Sequence, residues 1–90
     1  MNRKDMEIVL HRTTKPGALK AFATVKVSFP NGELRLHGFS VIDQPGKPSW
    51  VGFPQKEGKT PGRYFPVTEA EGELHGEIAA AVLDAYKKIL

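Results

Sequence analysis

Apolar and polar residues alternate from Leu19 to Phe29. Ala21, Ala23, Val25, Val27 and Phe29 fall on one side, and Lys20, Phe22, Thr24, Lys26 and Ser28 on the other. Period two over this length predicts a strand with one buried face. Asn31-Gly32 follows, between Pro30 and Glu33. Asn-Gly tolerates the positive φ of a type I′ turn, so the chain is expected to fold back as a hairpin. With those two residues as the loop, Phe29 faces Leu34, Val27 faces Leu36 and Lys26 faces His37. Apolar then meets apolar and polar meets polar. The phase breaks at Gly38, beyond which Phe39 and Val41 would fall on the polar side. A bulge at Gly38 restores it and sets Phe39 against Val25 and Val41 against Ala23. One apolar pair, Phe22 with Ile42, then faces outward. It reads as a dimer interface or as a patch covered by another segment.

The flanking elements are shorter. Met6 to Arg12 reads as a first strand, and Thr13 to Gly17, with Pro16-Gly17, as a turn. Asp43 to Pro48 is a Pro/Gly loop. Trp50 to Phe53 is a short strand stopped by Pro54, and Gln55 to Gly62 is polar, aperiodic and expected to be flexible. Tyr64 to Val67 reads as a further short strand, with Pro66 suited to an edge. Thr68 with Glu71 fits an S/T-x-x-E capping box. Leu74, Ile78, Ala81, Val82, Ala85 and Ile89 mark one helical face. Glu69, Glu71, Glu73 and Glu77 lie near its start and Lys87-Lys88 at its end, a polarity that complements the helix dipole. Gly72 and Gly76 weaken the first turns, so the firm helix is expected from about Gly76. The pattern predicts an α+β fold: an antiparallel β-sheet of four to five strands packed with one C-terminal α-helix, a single domain over residues 1–90.

Composition narrows the function. A chain of 90 residues is small. It buries roughly 60–65% of its unfolded surface, so self-association would help its core. The absence of cysteine excludes disulfides, thiolate nucleophiles and Cys-based zinc sites. Met1 to Lys4 is charged, no signal-like apolar stretch follows, and no segment approaches the ~20 apolar residues of a membrane span. A soluble, cytoplasmic protein is expected. Residues 1–68 carry 11 Lys and Arg against 5 Asp and Glu, whereas residues 69–90 carry 2 against 5. A basic body with an acidic tail favours an anionic partner at the body.

Catalytic patterns are missing. His11, His37 and His75 share no helical spacing, and no HExxH, GxSxG, phosphate-loop or dinucleotide fingerprint occurs. No catalytic residue, metal ligand or cofactor is assigned, and no small-molecule substrate or membrane partner is expected. Asp43 reads as a loop anchor. Trp50, Phe53, Tyr64 and Phe65 are expected mostly as core beneath the helix, with the Tyr86 hydroxyl at its rim. Cations are more suggestive. Lys47, Lys56, Lys59 and Arg63 lie in the two loops around Trp50–Pro54, and Tyr64 and Phe65 beside Arg63 offer stacking rings. Lys20, Lys26 and Arg35 form a second basic face on the outer side of the hairpin. DNA or RNA is the partner these residues suit, through displaced counterions. A protein-interaction module using the same basic surface is the alternative.

Three segments carry a resemblance to a known family. His37-Gly38-Phe39-Ser40-Val41-Ile42-Asp43, Trp50-Val51-Gly52-Phe53-Pro54 and Gly76 to Tyr86, ending Ala81-Val82-Leu83-Asp84-Ala85-Tyr86, resemble in order and spacing the SpoVG family (stage V sporulation protein G, septation regulator). The resemblance spans roughly residues 6–90. It implies an antiparallel sheet with a C-terminal helix, a homodimer, and DNA binding, with RNA binding in some members. It implies a part in sporulation- or septation-type regulation, and neither enzyme activity nor cofactor. The chain departs from the family where Glu57 enters the basic loop and Glu69, Glu71 and Glu73 precede the helix.

Overall fold

The computed structural model describes residues 5–60 and 62–90. Met1–Lys4, the expected charged start, and Pro61 lie outside it. Strands β1 (Met6–Arg12), β2 (Leu19–Phe29), β3 (Gly32–Ile42) and β4 (Trp50–Gly52) pair antiparallel in the order β1-β2-β3-β4. Strands β5 (Gln55–Glu57) and β6 (Tyr64–Pro66) form a separate two-stranded sheet, and helix α1 (Glu73–Lys88) ends the fold. This is the expected α+β architecture.

The β2–β3 hairpin forms, but in a different register. Val27 faces Leu34, Lys26 faces Arg35 and Val25 faces Leu36, and the turn is Pro30-Asn31, not Asn31-Gly32. Pro30 locks φ near −65°, and no non-glycine residue among those described has positive φ. A type I′ turn, which needs positive φ at both central positions, is therefore excluded. The shift is two residues, so every side chain keeps its face and the apolar matching is as good as before.

The bulge occurs where the phase break places it. Between the Val25–Leu36 and Ala23–Phe39 pairs, one β2 residue opposes two on β3, and Gly38 takes φ +91°. Beyond it Phe39 faces Ala23 and Val41 faces Ala21, while Phe22 faces Ser40. The direct Phe22–Ile42 pair is not made: Ile42 sits opposite Leu19 and Trp50. A Cβ at Gly38 would meet Pro54 at ordinary contact distance, 3.6 Å, so the backbone angle is the obstacle to substitution. Gly38→Ala is expected to destabilise by about 1–2 kcal/mol, read as a lowered urea midpoint.

Ala21, Ala23, Val25 and Val27 from β2 and Phe39 and Val41 from β3 meet Ile78, Val82 and Tyr86 of α1 in the core. Met6, Ile8 and Leu10 of β1 and Val51 of β4 pack at its margins. Ala81 is also buried on the helix, whereas Ile89, expected on the buried face, is exposed. The capping box is not formed. The N-cap is Gly72, with φ 63° and no side-chain hydrogen bond. Thr68 instead donates its N–H to the Pro54 carbonyl at 3.4 Å, beside Val67 N–H at 2.9 Å. The helix starts at Glu73, ahead of Gly76, with Glu73 in the first turn and Lys87 and Lys88 in the last, as the dipole favours.

Gln55–Glu57, expected within a flexible loop, is a strand paired with Tyr64–Pro66. The aromatics also divide. Phe53 packs on the core, edge-on to Phe39 (centroids 5.0 Å, 71°) and stacked on His75 (4.3 Å, 4°). Trp50, Tyr64 and Phe65 are exposed, a correction to their expected place beneath the helix. Trp50 pairs with Ile42 on β3, whose alternation turns it away from Val41 and the core.

Candidate nucleic-acid interface

The β5–β6 hairpin gathers three of the four loop cations. Lys56 pairs with Phe65, and Gly58 N–H donates to the Arg63 carbonyl at 2.7 Å, extending the same register. Arg63 N–H closes the turn on the Thr60 carbonyl at 3.2 Å. Directly paired residues share a face, and so do residues two apart on one strand. Lys56, Phe65 and Arg63 therefore lie on one face, and Tyr64 lies on the other. Lys59 stands in the turn. A Cβ at Gly58 would collide with the Phe65 ring, so the ring lies across bare backbone there. Phe65 still keeps 57% of its surface open to solvent. No ion pair joins Lys56, Lys59 or Arg63 to a carboxylate among the described side chains.

Lys47 belongs to a different element. Its N–H donates to the Gln44 carbonyl at 3.2 Å in the β3–β4 loop, and its side chain lines a hollow with Gln44, Pro48, Ser49 and Trp50. The second basic face is diluted by acid. Lys26 sits between Glu7 and Arg35. The Arg35 Nε donates to the Glu33 carboxylate at 2.8 Å, and that hydrogen bond holds the Glu33 carboxyl below its usual range. Lys20 is partly buried at a register irregularity between Leu19 and Ala21. His37 does not face Lys26. Its Nδ1 lies 2.9 Å from the Thr24 hydroxyl.

Asp43 is an anchor. Its N–H donates to the Ala18 carbonyl at 2.9 Å. Its carboxylate accepts from the Tyr86 hydroxyl at 2.9 Å and from Ser49 Oγ at 3.5 Å, tying the β3–β4 loop to the last turn of α1. Burial, and then this hydrogen bond, push the Tyr86 hydroxyl above the ordinary phenol range.

No group of three His, Asp or Glu among the described residues is arranged to hold a metal ion. No described helix is long and apolar enough to cross a membrane. The sequence offers both Tyr64 and Phe65 as stacking rings beside Arg63, and the pairing separates them, with Phe65 on the face of Lys56. Strand alternation was the available signal, because residues two apart share a face, so Arg63 goes with Phe65 and not with Tyr64. Compared with protein-family models and with curated protein sequences, the chain gives no match in either comparison.

Proposed function

We propose that the protein is a nucleic-acid-binding regulator, as the SpoVG resemblance implies, and that the β5–β6 hairpin is its docking element. The observation that carries this reading is the hairpin face on which Lys56 and Arg63 accompany the exposed ring of Phe65. Cations on such a face release the counterions condensed on a phosphate backbone. An aromatic between them can stack on an unpaired base. Arg63 adds a planar fork that fits phosphate or a base edge bidentately. The glutamates before and within the helix start leave its N-terminus with anionic partners of its own, so the hairpin is the better phosphate site. A homodimer would present two such hairpins related by a two-fold axis. Sedimentation at micromolar concentration reads that part of the proposal.

The test is fluorescence anisotropy with labelled single-stranded DNA and RNA across a salt series. Three phosphate contacts give a log–log salt slope of about −2. The double variant Lys56→Glu with Lys59→Glu is expected to weaken binding roughly tenfold or more at 0.1 M salt, with an unchanged circular dichroism spectrum. Unchanged affinity would move the site elsewhere. Absence of binding at low salt would leave a protein-interaction role.

A further inference from the structure

We propose that two copies of the chain join edge to edge through β1, in a two-fold antiparallel pairing centred on Val9. This rests on the homodimer part of the reading above, to which it gives a surface, and is independent of nucleic-acid binding.

β1 is an end strand of the four-stranded sheet, with β2 beside it. The main-chain groups of a strand point alternately to its two sides. The β1–β2 register, from Met6 on Val27 to Arg12 on Ala21, continues with Thr13 opposite Lys20. Thr13 N–H donates to the Lys20 carbonyl at 3.1 Å, so this is a hydrogen-bonded pair. Counting back by twos, His11, Val9 and Glu7 also bond toward β2. Met6, Ile8, Leu10 and Arg12 therefore aim their N–H and C=O groups at the outer side.

The side chains of β1 are self-complementary about Val9. A second β1 laid antiparallel so that all seven residues pair sets Val9 on the partner's Val9. Ile8 then meets the partner's Leu10, and Glu7 meets the partner's His11. Apolar faces apolar on the side of α1, and a carboxylate faces a basic ring on the other. The outward main-chain groups fall opposite one another in this same register. Ile8 with the partner's Leu10, and Met6 with the partner's Arg12, exchange both hydrogen bonds. A phosphate chain offers acceptors but no donors for the carbonyls, so this edge suits a strand. A strand of unrelated sequence lacks the side-chain match.

Helix packing agrees. Ile8 and Leu10 line an apolar groove with Ala81, Ala85 and Ile89 of the helix segment. Ile89 continues the apolar helix face yet is 39% exposed. Residues of the same parity pair across the axis, so both helices lie on one side of the joined sheet. The partner's Ile8 and Leu10 extend the floor of the groove at the side where Ile89 is open.

The chain has no cysteine, so one introduced thiol is a clean probe. Val9 and the partner's Val9 form a non-hydrogen-bonded pair with Cα atoms about 4.5 Å apart, within the span of a disulfide. Val9→Cys is expected to convert most of the protein to a covalent dimer under mild oxidation at micromolar concentration, with an unchanged circular dichroism spectrum. Phe22→Cys is expected to remain uncrosslinked, because three strand spacings, roughly 14 Å or more, separate the two thiols. Sedimentation reads the contact without a thiol. Glu7→Lys should raise the dimer Kd roughly three- to thirtyfold, and adding His11→Glu should restore it. Within one chain Glu7 faces Lys26 and His11 faces Phe22, so a folding defect from the first change is not cured by the second. Absence of the Val9→Cys crosslink, equal crosslinking of Phe22→Cys, or a dimer indifferent to Glu7→Lys overturns the β1 interface and leaves a homodimer through another surface. Wild type that sediments as a monomer at micromolar concentration overturns the homodimer as well, while anisotropy with labelled DNA and RNA reads the hairpin's role separately.

Discussion

Phe39→Ala is expected to remove about 3–5 kcal/mol of stability, the range for truncating a fully buried phenylalanine. Phe39 has no solvent exposure and faces Ala23 across the strand pair. Its ring supports Phe53 edge-on, and Phe53 in turn carries His75 from the first turn of α1. Alanine would leave a hole under that stack, and the neighbours Ala21 and Ala23 are too small to fill it. A domain of 90 residues has roughly 5–13 kcal/mol in total, so this one change would take a large share. Urea denaturation followed by circular dichroism reads it as a large fall in midpoint. Phe22→Ala, on the exposed face, should stay within about 0.5 kcal/mol of wild type. A Phe39→Ala protein as stable as Phe22→Ala would refute the placement of the core.

Asp43→Ala is expected to cost about 1–3 kcal/mol, because it strands the buried Tyr86 hydroxyl without its acceptor. Tyr86→Phe removes the donor as well and leaves a carboxylate that is only partly buried and still near Ser49. It should therefore cost less. The order of the two variants separates a satisfied anchor from simple packing. The pair also sets a pH response. Tyr86 is harder to ionise in the fold, chiefly through burial and then through the Asp43 hydrogen bond and charge. Its neutral form is thus favoured by folding. The resulting stability is fully present below the unfolded phenol value of about 10, and is lost as pH rises through the higher folded value. Urea midpoints at pH 8 and pH 11 should fall further for wild type than for Tyr86→Phe. Equal falls would show that Tyr86 does not contribute to the alkaline loss.

The long elements were legible because they repeat. The alternation of β2 exposes its buried face, and the break at Gly38 marks the bulge, since only a glycine readily takes φ +91° there. The helix dipole pairing and the Asp43 anchor were likewise readable from residue type and position. The hairpin register was not, because a period of two is satisfied equally by pairings two residues apart. Pro30 favours the observed one, where its fixed φ suits the first central turn position and its missing N–H costs no ladder bond. The β5–β6 hairpin was illegible for a different reason: strands of three residues contain no period. The candidate site inherited that ambiguity: both Tyr64 and Phe65 could stack, and only the pairing puts Phe65 on the cationic face and Tyr64 on the other. Thr68 shows that a capping motif is only as good as its surroundings, since the Pro54 carbonyl claims its N–H before a helix can begin.

The two borders of the main sheet are unequal. β1 presents a seven-residue outer edge, while β4 presents one of three residues and runs into Phe53-Pro54. A strand added by backbone pairing would therefore find a longer template along β1 than along β4.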